Sequence, residues 1–262
     1  MRSLLTLTLA SVGLSGSLAA QVNFDTVQVR AVQMSPGLHV LFGAGGNIGL
    51  STGVDGTFII DDQFAPLTAK IVAAIRTVTD RPVKYVINTH WHGDHAGGNE
   101  NFGNAGALIV AHDNVRKRMS TEQFMAAMNQ RVPASPRAAL PVVTFAEGVT
   151  FHLNGDSIAI THVRPAHTDG DAIVHFLKAN VVHMGDVFNN TGLPFIDRSS
   201  GGTSAGIISA ADLVFAMAND QTRIIPGHGQ ITDRNRLRAW RDAVSTVRER
   251  VASEVRDRKS VV

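Results

Sequence analysis

Four side chains that bind metal ions fall within six residues: His90, His92, Asp94 and His95, in the run Thr89-His90-Trp91-His92-Gly93-Asp94-His95-Ala96-Gly97-Gly98. In extended backbone His90 and His92 project to the same side, so both can reach one cation. Gly93 lets the chain turn, which allows Asp94 and His95 to face a second ion close by. The bland alternative is a solvated histidine-rich loop with adventitious metal affinity. Burial of such a cluster without a cation would be costly, because its polar atoms would lose their hydration. Three later positions favour the metal reading. His167 lies in Arg164-Pro165-Ala166-His167-Thr168-Asp169-Gly170-Asp171, Asp186 in His183-Met184-Gly185-Asp186, and His228 in Ile225-Pro226-Gly227-His228-Gly229. Each stands at a predicted strand end beside glycine or proline, where loops present side chains to a shared cleft. The chain has no cysteine. A metal site must then be made of imidazole, carboxylate and water, a donor set that suits zinc. The chemistry such a site supplies is ionisation of water at neutral pH and polarisation of a carbonyl or phosphoryl oxygen.

The elements that must position these residues can be read from periodicity. Strand-like runs at Val27–Val32, Leu38–Phe42, Asn47–Ser51 and Thr57–Asp61 are separated by turn residues, as in a β-meander. Gly43, Gly45 and Gly46 form an incomplete phosphate-loop pattern between two strands and are expected to make a hairpin turn. A helix is expected from Pro66, with Leu67, Ile71, Ile75 and Val78 on one face. A buried strand, Val83–Asn88, leads into the histidine run, followed by a strand at Ala107–Ala111 and a short helix near Val115–Met119. Residues 120–141 show no clear period and are expected to hold a helix and a loop. Strands follow at Val142–Phe145, Val149–Leu153, Ser157–Val163, Ala172–Leu177 and Val181–Met184, then a helix at Ala205–Met217 and a strand at Arg223–Ile225. A last helix carries Leu237, Trp240, Val244, Val247 and Val251 on one stripe. This order implies an α+β fold: two mixed sheets packed face to face with helices outside, rather than a doubly wound sheet.

With 262 residues and 44% apolar composition the chain suits one large globular domain. A net charge of +2 with no charge block argues against a nucleic-acid surface. Arg2, the apolar run Leu4–Leu14 and the small residues Ser17 and Ala19 predict a secretory signal cleaved near Ala19 or Ala20. Residues 1–19 are then the signal and 20–262 the mature domain, periplasmic or secreted, with no membrane anchor after cleavage. The alternatives are an N-terminal anchor or a buried strand. Oligomeric state is open.

The run His-x-His-x-Asp-His, followed by a separate His, Asp and His, resembles the metallo-β-lactamase superfamily over essentially the whole mature chain. The resemblance implies an αββα four-layer sandwich with the site at one edge between the sheets. It implies that His90, His92 and His167 hold a first zinc, that Asp94, His95 and His228 hold a second, and that Asp186 bridges them. Asp94 would also orient the nucleophile. Asp61, ending Phe58-Ile59-Ile60-Asp61, matches the family's first motif, an aspartate that supports the ligands; a turn or cap aspartate is the alternative. The implied activity is hydrolysis of an ester, lactone, thioester or β-lactam amide in a small molecule.

Departures from subfamily patterns narrow this. The largest group of β-lactamases has cysteine where this chain has Asp186 and lysine where it has Asn189, which weakens efficient β-lactam hydrolysis. Arg198 is a candidate for gripping a carboxylate, or else a surface arginine. Only one helix follows His228, unlike glyoxalase II. The single tyrosine, Tyr85, precedes the metal run, unlike the lactonases. A mononuclear iron persulfide dioxygenase and a non-catalytic metal carrier remain as alternatives. Phe195 and Trp91 either line the cleft or pack the loops. His39, His112, His152, His162, His175 and His183 lie in or beside predicted strands and are expected to be surface or hydrogen-bonded histidines rather than ligands.

Overall fold

The computed structural model describes residues 22–259, with side chains to residue 257. The predicted signal segment, residues 1–19, lies outside them. In chain order the first half holds β1 (Arg30–Ser35), β2 (Leu38–Phe42), β3 (Ile48–Gly53), β4 (Gly56–Ile60), α1 (Thr68–Arg76), β5 (Val83–Ile87), α2 (Gly93–Ala96), α3 (Asn99–Asn104), β6 (Leu108–His112), α4 (Asp113–Met119), β7 (Gln123–Met125), β8 (Gln130–Val132) and β9 (Val143–Phe145). The second half holds β10 (Gly148–Leu153), β11 (Asp156–His162), β12 (Ala172–Phe176), β13 (Val181–His183), α5 (Ser204–Met217), β14 (Arg223–Ile225), β15 (Thr232–Asp233) and α6 (Arg234–Lys259).

Two sheets form the centre. One runs β1-β2-β3-β4-β5-β6-β9 and the other β10-β11-β12-β13-β14-β15. Both begin as antiparallel meanders and turn parallel where helical crossovers intervene, at β4–β5–β6–β9 and at β13–β14. The period-2 alternation of each strand divides its side chains between two cores. Phe58, Ile60, Ile87 and Val110 point inward and meet Ile158, Ile160, Val174 and Ile225 of the opposing sheet. Their neighbours Ile59, Val86 and Ile109 point outward and are covered by Ile71 and Ile75 of α1 and Phe102 of α3. On the far side Ile173, Val182 and Ile224 are covered by Ile207 and Val214 of α5 and by Leu237 and Trp240 of α6. Helix, sheet, sheet and helix are therefore stacked as four layers. No helix among the described residues is long and apolar enough to cross a membrane.

Three expectations need correction. Residues 120–141 form the hairpin β7–β8 and short 3₁₀ turns, not a helix. Strands of three residues are too short to show alternation, so alanine and methionine there gave no period. The first strand starts at Arg30, because Asn23 caps a 3₁₀ turn at Phe24–Thr26 with its side-chain oxygen. On α6, Leu237, Trp240 and Val244 are buried as expected, but Val247 and Val251 are exposed.

Candidate metal centre

The chain leaves β5 at Ile87 and enters the histidine run in irregular backbone. Asn88 hydrogen bonds to Val110 through its backbone N–H and to Asn99 through its amide, which fixes the exit direction. His92 is extended and starts α2, whose single turn carries Asp94 and His95. That turn, and α3 after it, are helices the sequence reading did not foresee. The loop between β11 and β12 supplies His167, a 3₁₀ turn after β13 supplies Asp186, and the loop after β14 supplies His228. All seven residues meet at one edge of the sandwich.

They form two clusters of potential ligands, His90–His92–His167 and Asp94–His95–Asp186–His228. In the first, the three rings stand nearly perpendicular to one another at 4.6–4.8 Å between centroids. His92 Nδ1 and His167 Nε2 lie 2.8 Å apart, and the buried Nε2 of His90 has no hydrogen-bond partner. In the second, the contacts between donor atoms run from 3.0 to 3.7 Å: His95–Asp186, His228–Asp94, His95–His228, His228–Asp186 and His95–Asp94. A tetrahedral zinc with bonds near 2.1 Å has ligand atoms about 3.4 Å apart. The donors thus fit a cation in each cluster. Asp186 presents Oδ1 to the second cluster, while its Oδ2 lies 3.7 Å from His167 of the first.

Electrostatics separates the two. Burial, with the neighbouring histidines, holds His90 well below the usual range, and burial lowers His167 to about 4. Both are neutral at pH 7 and ready to donate lone pairs. Burial opposes charge on His95 and His228 too, but Asp186 and Asp94 outweigh it, raising His95 and taking His228 to about 9. A second cation must displace these protons. Zinc titrated at pH 7 by calorimetry in buffers of different ionisation enthalpy should therefore displace no proton from His90 or His167 in the first cluster, and at least one proton from the second. The second affinity should rise about tenfold per pH unit for each proton displaced, up to about pH 9. The same raised pKa stabilises the metal-free fold below about pH 6.5, and that contribution is lost as pH rises through about 9.

Four of the five histidines in the clusters are held from behind. His90 Nδ1 donates to Thr89 Oγ1, His92 Nε2 to Asp197, His95 Nδ1 to Asp61, and His167 Nδ1 to the carbonyl of Phe195. Asp61 also accepts from the backbone N–H and hydroxyl of Thr89, which decides for support of the ligands over the capping alternative. Its φ of 64°, like the 57° of Gln63, is a costly conformation for a side-chain-bearing residue. Two glycines allow the close approach: a Cβ at Gly46 would strike the His95 ring, and one at Gly227 would strike Asp186 Oδ1.

Asp197 and Asp171 were missed. Asp171, pushed up to about 7 by burial, accepts from the backbone N–H of His167 and of Thr168 and shapes the loop. Asp197 is 105 residues from its histidine, and no local pattern marks it. Asp197→Ala should weaken the first metal about 10–100-fold, as read by competition with a chelating dye.

None of the six other histidines joins either cluster. His112, His162 and His183 bond to backbone carbonyls, and His152 to Ser157. Arg198 is exposed and does not line the cavity above the clusters. That cavity holds about 630 Å³, with His92, Asp94, Asp186 and His228 on its surface. Trp91 lines it with its ring while donating Nε1–H to Ser200, so it both faces the cleft and packs. Phe195 also lines it, 6.3 Å from the His92 ring and 5.8 Å from the His167 ring.

The fold has counterparts among solved structures. A metallo-β-lactamase from Pontibacter korlensis superposes with a TM-score of 0.68 at 19% identity, covering 83% of this chain and 99% of that one. A metallo-β-lactamase from Cronobacter sakazakii superposes at 0.71, also at 19% identity, covering 87% and 96%. At such identity the likeness is one of fold. The family model of the metallo-β-lactamase superfamily matches residues 43–241, from the turn before β3 through the first turns of α6, and so spans every residue of both clusters. The chain belongs to the metallo-β-lactamase superfamily.

Proposed function

We propose that this protein is an exported binuclear zinc hydrolase that cleaves an ester, lactone, thioester or β-lactam amide in a small molecule. The observation that carries the reading is the pair of neighbouring donor clusters, with Asp186 of the second 3.7 Å from His167 of the first, at the surface of an open cavity. Zinc bound there would lower the pKa of water towards about 7 and polarise the carbonyl under attack.

The chain's own residues do the rest. Asp94, with 29% of its side chain exposed, reaches both the second cluster and the cavity. It orients the attacking water and takes its proton as oxygen bonds to the acyl carbon. The proton then passes to the oxygen, sulfur or nitrogen that leaves as the old bond breaks. His228, with 26% exposed, lies beside it and completes the second cluster. Asp61, Asp197 and the Phe195 carbonyl hold the imidazoles in one tautomer. Asn189, which lines the cavity, and the outward position of Arg198 leave a β-lactam carboxylate without a cationic side chain, so β-lactams should be the poorer substrates.

The test is reconstitution of the metal-depleted mature protein with two equivalents of zinc and a screen of β-lactam, lactone, thioester and phosphodiester substrates. Turnover of an acyl substrate that stops on chelation is expected. Absence of turnover with both ions bound would point to a carrier, and one iron per chain with oxygen uptake to persulfide oxidation; either sinks the hydrolase reading. Export is tested by mass spectrometry of the processed N-terminus, expected near residue 20.

A further inference from the structure

Six apolar side chains dominate the wall of the cavity: Phe64, Trp91, Met125, Met128, Val132 and Phe195. Three of them come from the β7–β8 hairpin, which spans residues 123–132. The hairpin is pinned at both ends. At its tip the Ala126 N–H donates to Ser199 Oγ, in the turn that also holds Ser200 against Asp197. At its base Arg118 bonds to Gln123 while gripping Asp169, two residues from His167, with both arms of its guanidinium.

The register decides which side chains the site sees. Gln130 and Val132 face the cavity, and Arg131 between them faces away. There it stacks 5.8 Å over Phe124 and pairs with Glu122 at 2.6 Å. A slip of one residue would reverse these faces. Arg118 is committed to Asp169, and Arg198 points to solvent. No lysine or arginine lines the cavity among the described residues.

We propose that the site takes uncharged acyl substrates whose apolar arm lies along the β7–β8 hairpin, with Met128 as its outer specificity residue. This rests on the hydrolase reading and narrows it. An apolar arm loses its hydration against methionine and aromatic surface, whose flexible thioethers adapt to its shape. A second carboxylate on that arm would be desolvated with no cation to meet it. Met128 is 55% exposed, so the wall can be altered there without disturbing the core.

The experiment compares p-nitrophenyl acetate, butanoate, hexanoate and the monoanionic adipate ester on the zinc-loaded mature protein. kcat/KM should rise by up to about fourfold per added methylene, the equivalent of burying each one. The adipate ester should fall about tenfold or more below the hexanoate. Met128→Ala should lower the hexanoate-to-acetate ratio, and Met128→Arg should close the adipate–hexanoate gap. Turnover that is flat with chain length, or faster on the anionic ester, overturns this inference and leaves the hydrolase reading standing. If no ester, thioester, lactone or β-lactam is cleaved with both ions bound, the hydrolase reading fails and takes the inference with it.

Discussion

His90→Ala should empty the first cluster and lower kcat/KM by about 10³ or more, while the fold survives. The His90 ring sits between His92, His95 and His167, and its Nε2 has no protein partner. Its removal takes away a ligand and leaves only the Thr89 hydroxyl, already bonded to Asp61, without its second contact. A lost Lewis acid is worth several kcal/mol, and about 4 kcal/mol is three powers of ten in rate. Metal content by mass spectrometry, far-UV circular dichroism and steady-state kinetics on the same preparation provide the check. His112→Ala, a ring bonded to the Ala146 carbonyl and belonging to neither cluster, should keep its metal. Full zinc occupancy with undiminished turnover in His90→Ala would falsify the ligand assignment.

Asp94→Asn separates catalysis from simple metal storage. The substitution keeps shape but removes one charge from the second cluster, where Asp94 lies 3.1 Å from His228 and 3.7 Å from His95. The first cluster, which does not contain Asp94, should retain its ion. Loss of a positioned general base costs about 10²–10⁴ in rate, and turnover should fall at least that far. His228 should also titrate lower in the metal-free variant, because Asp94 is one of the carboxylates that raise it. Proton NMR of the histidine ring signals reads that shift. In a metal carrier the same variant would lose affinity for the second ion and nothing else. A variant with wild-type turnover would remove Asp94 from the mechanism.

The parts legible in the sequence were those encoded over short distances. Short continuous apolar runs such as Phe58–Ile60, in a strand buried on both faces, and period-3.6 runs such as Leu67–Ile75 mark strands and helices because burial acts on each element's own faces. The hairpin at Gln123–Val132 escaped because its strands are too short to carry a period, and it forms part of the cavity wall. Asp61 was readable only as one of two possibilities. Its bonds to Thr89 and His95 span 28 and 34 residues, and only the packed sheet brings them together.

Read alone, the sequence determined the donor types, the exclusion of thiolate and the placement of the donors in segments that follow strands. Tertiary structure alone decided which nitrogen each histidine turns inward. His92 offers Nδ1 because Asp197 takes its Nε2, while His95 offers Nε2 because Asp61 takes its Nδ1. It also decided that Asp186 faces both clusters and that Arg131 and Arg198 face away from them. The reason is physical. Residue type and local spacing are properties of the chain, whereas ring orientation and convergence across more than a hundred residues depend on how two sheets and their loops pack.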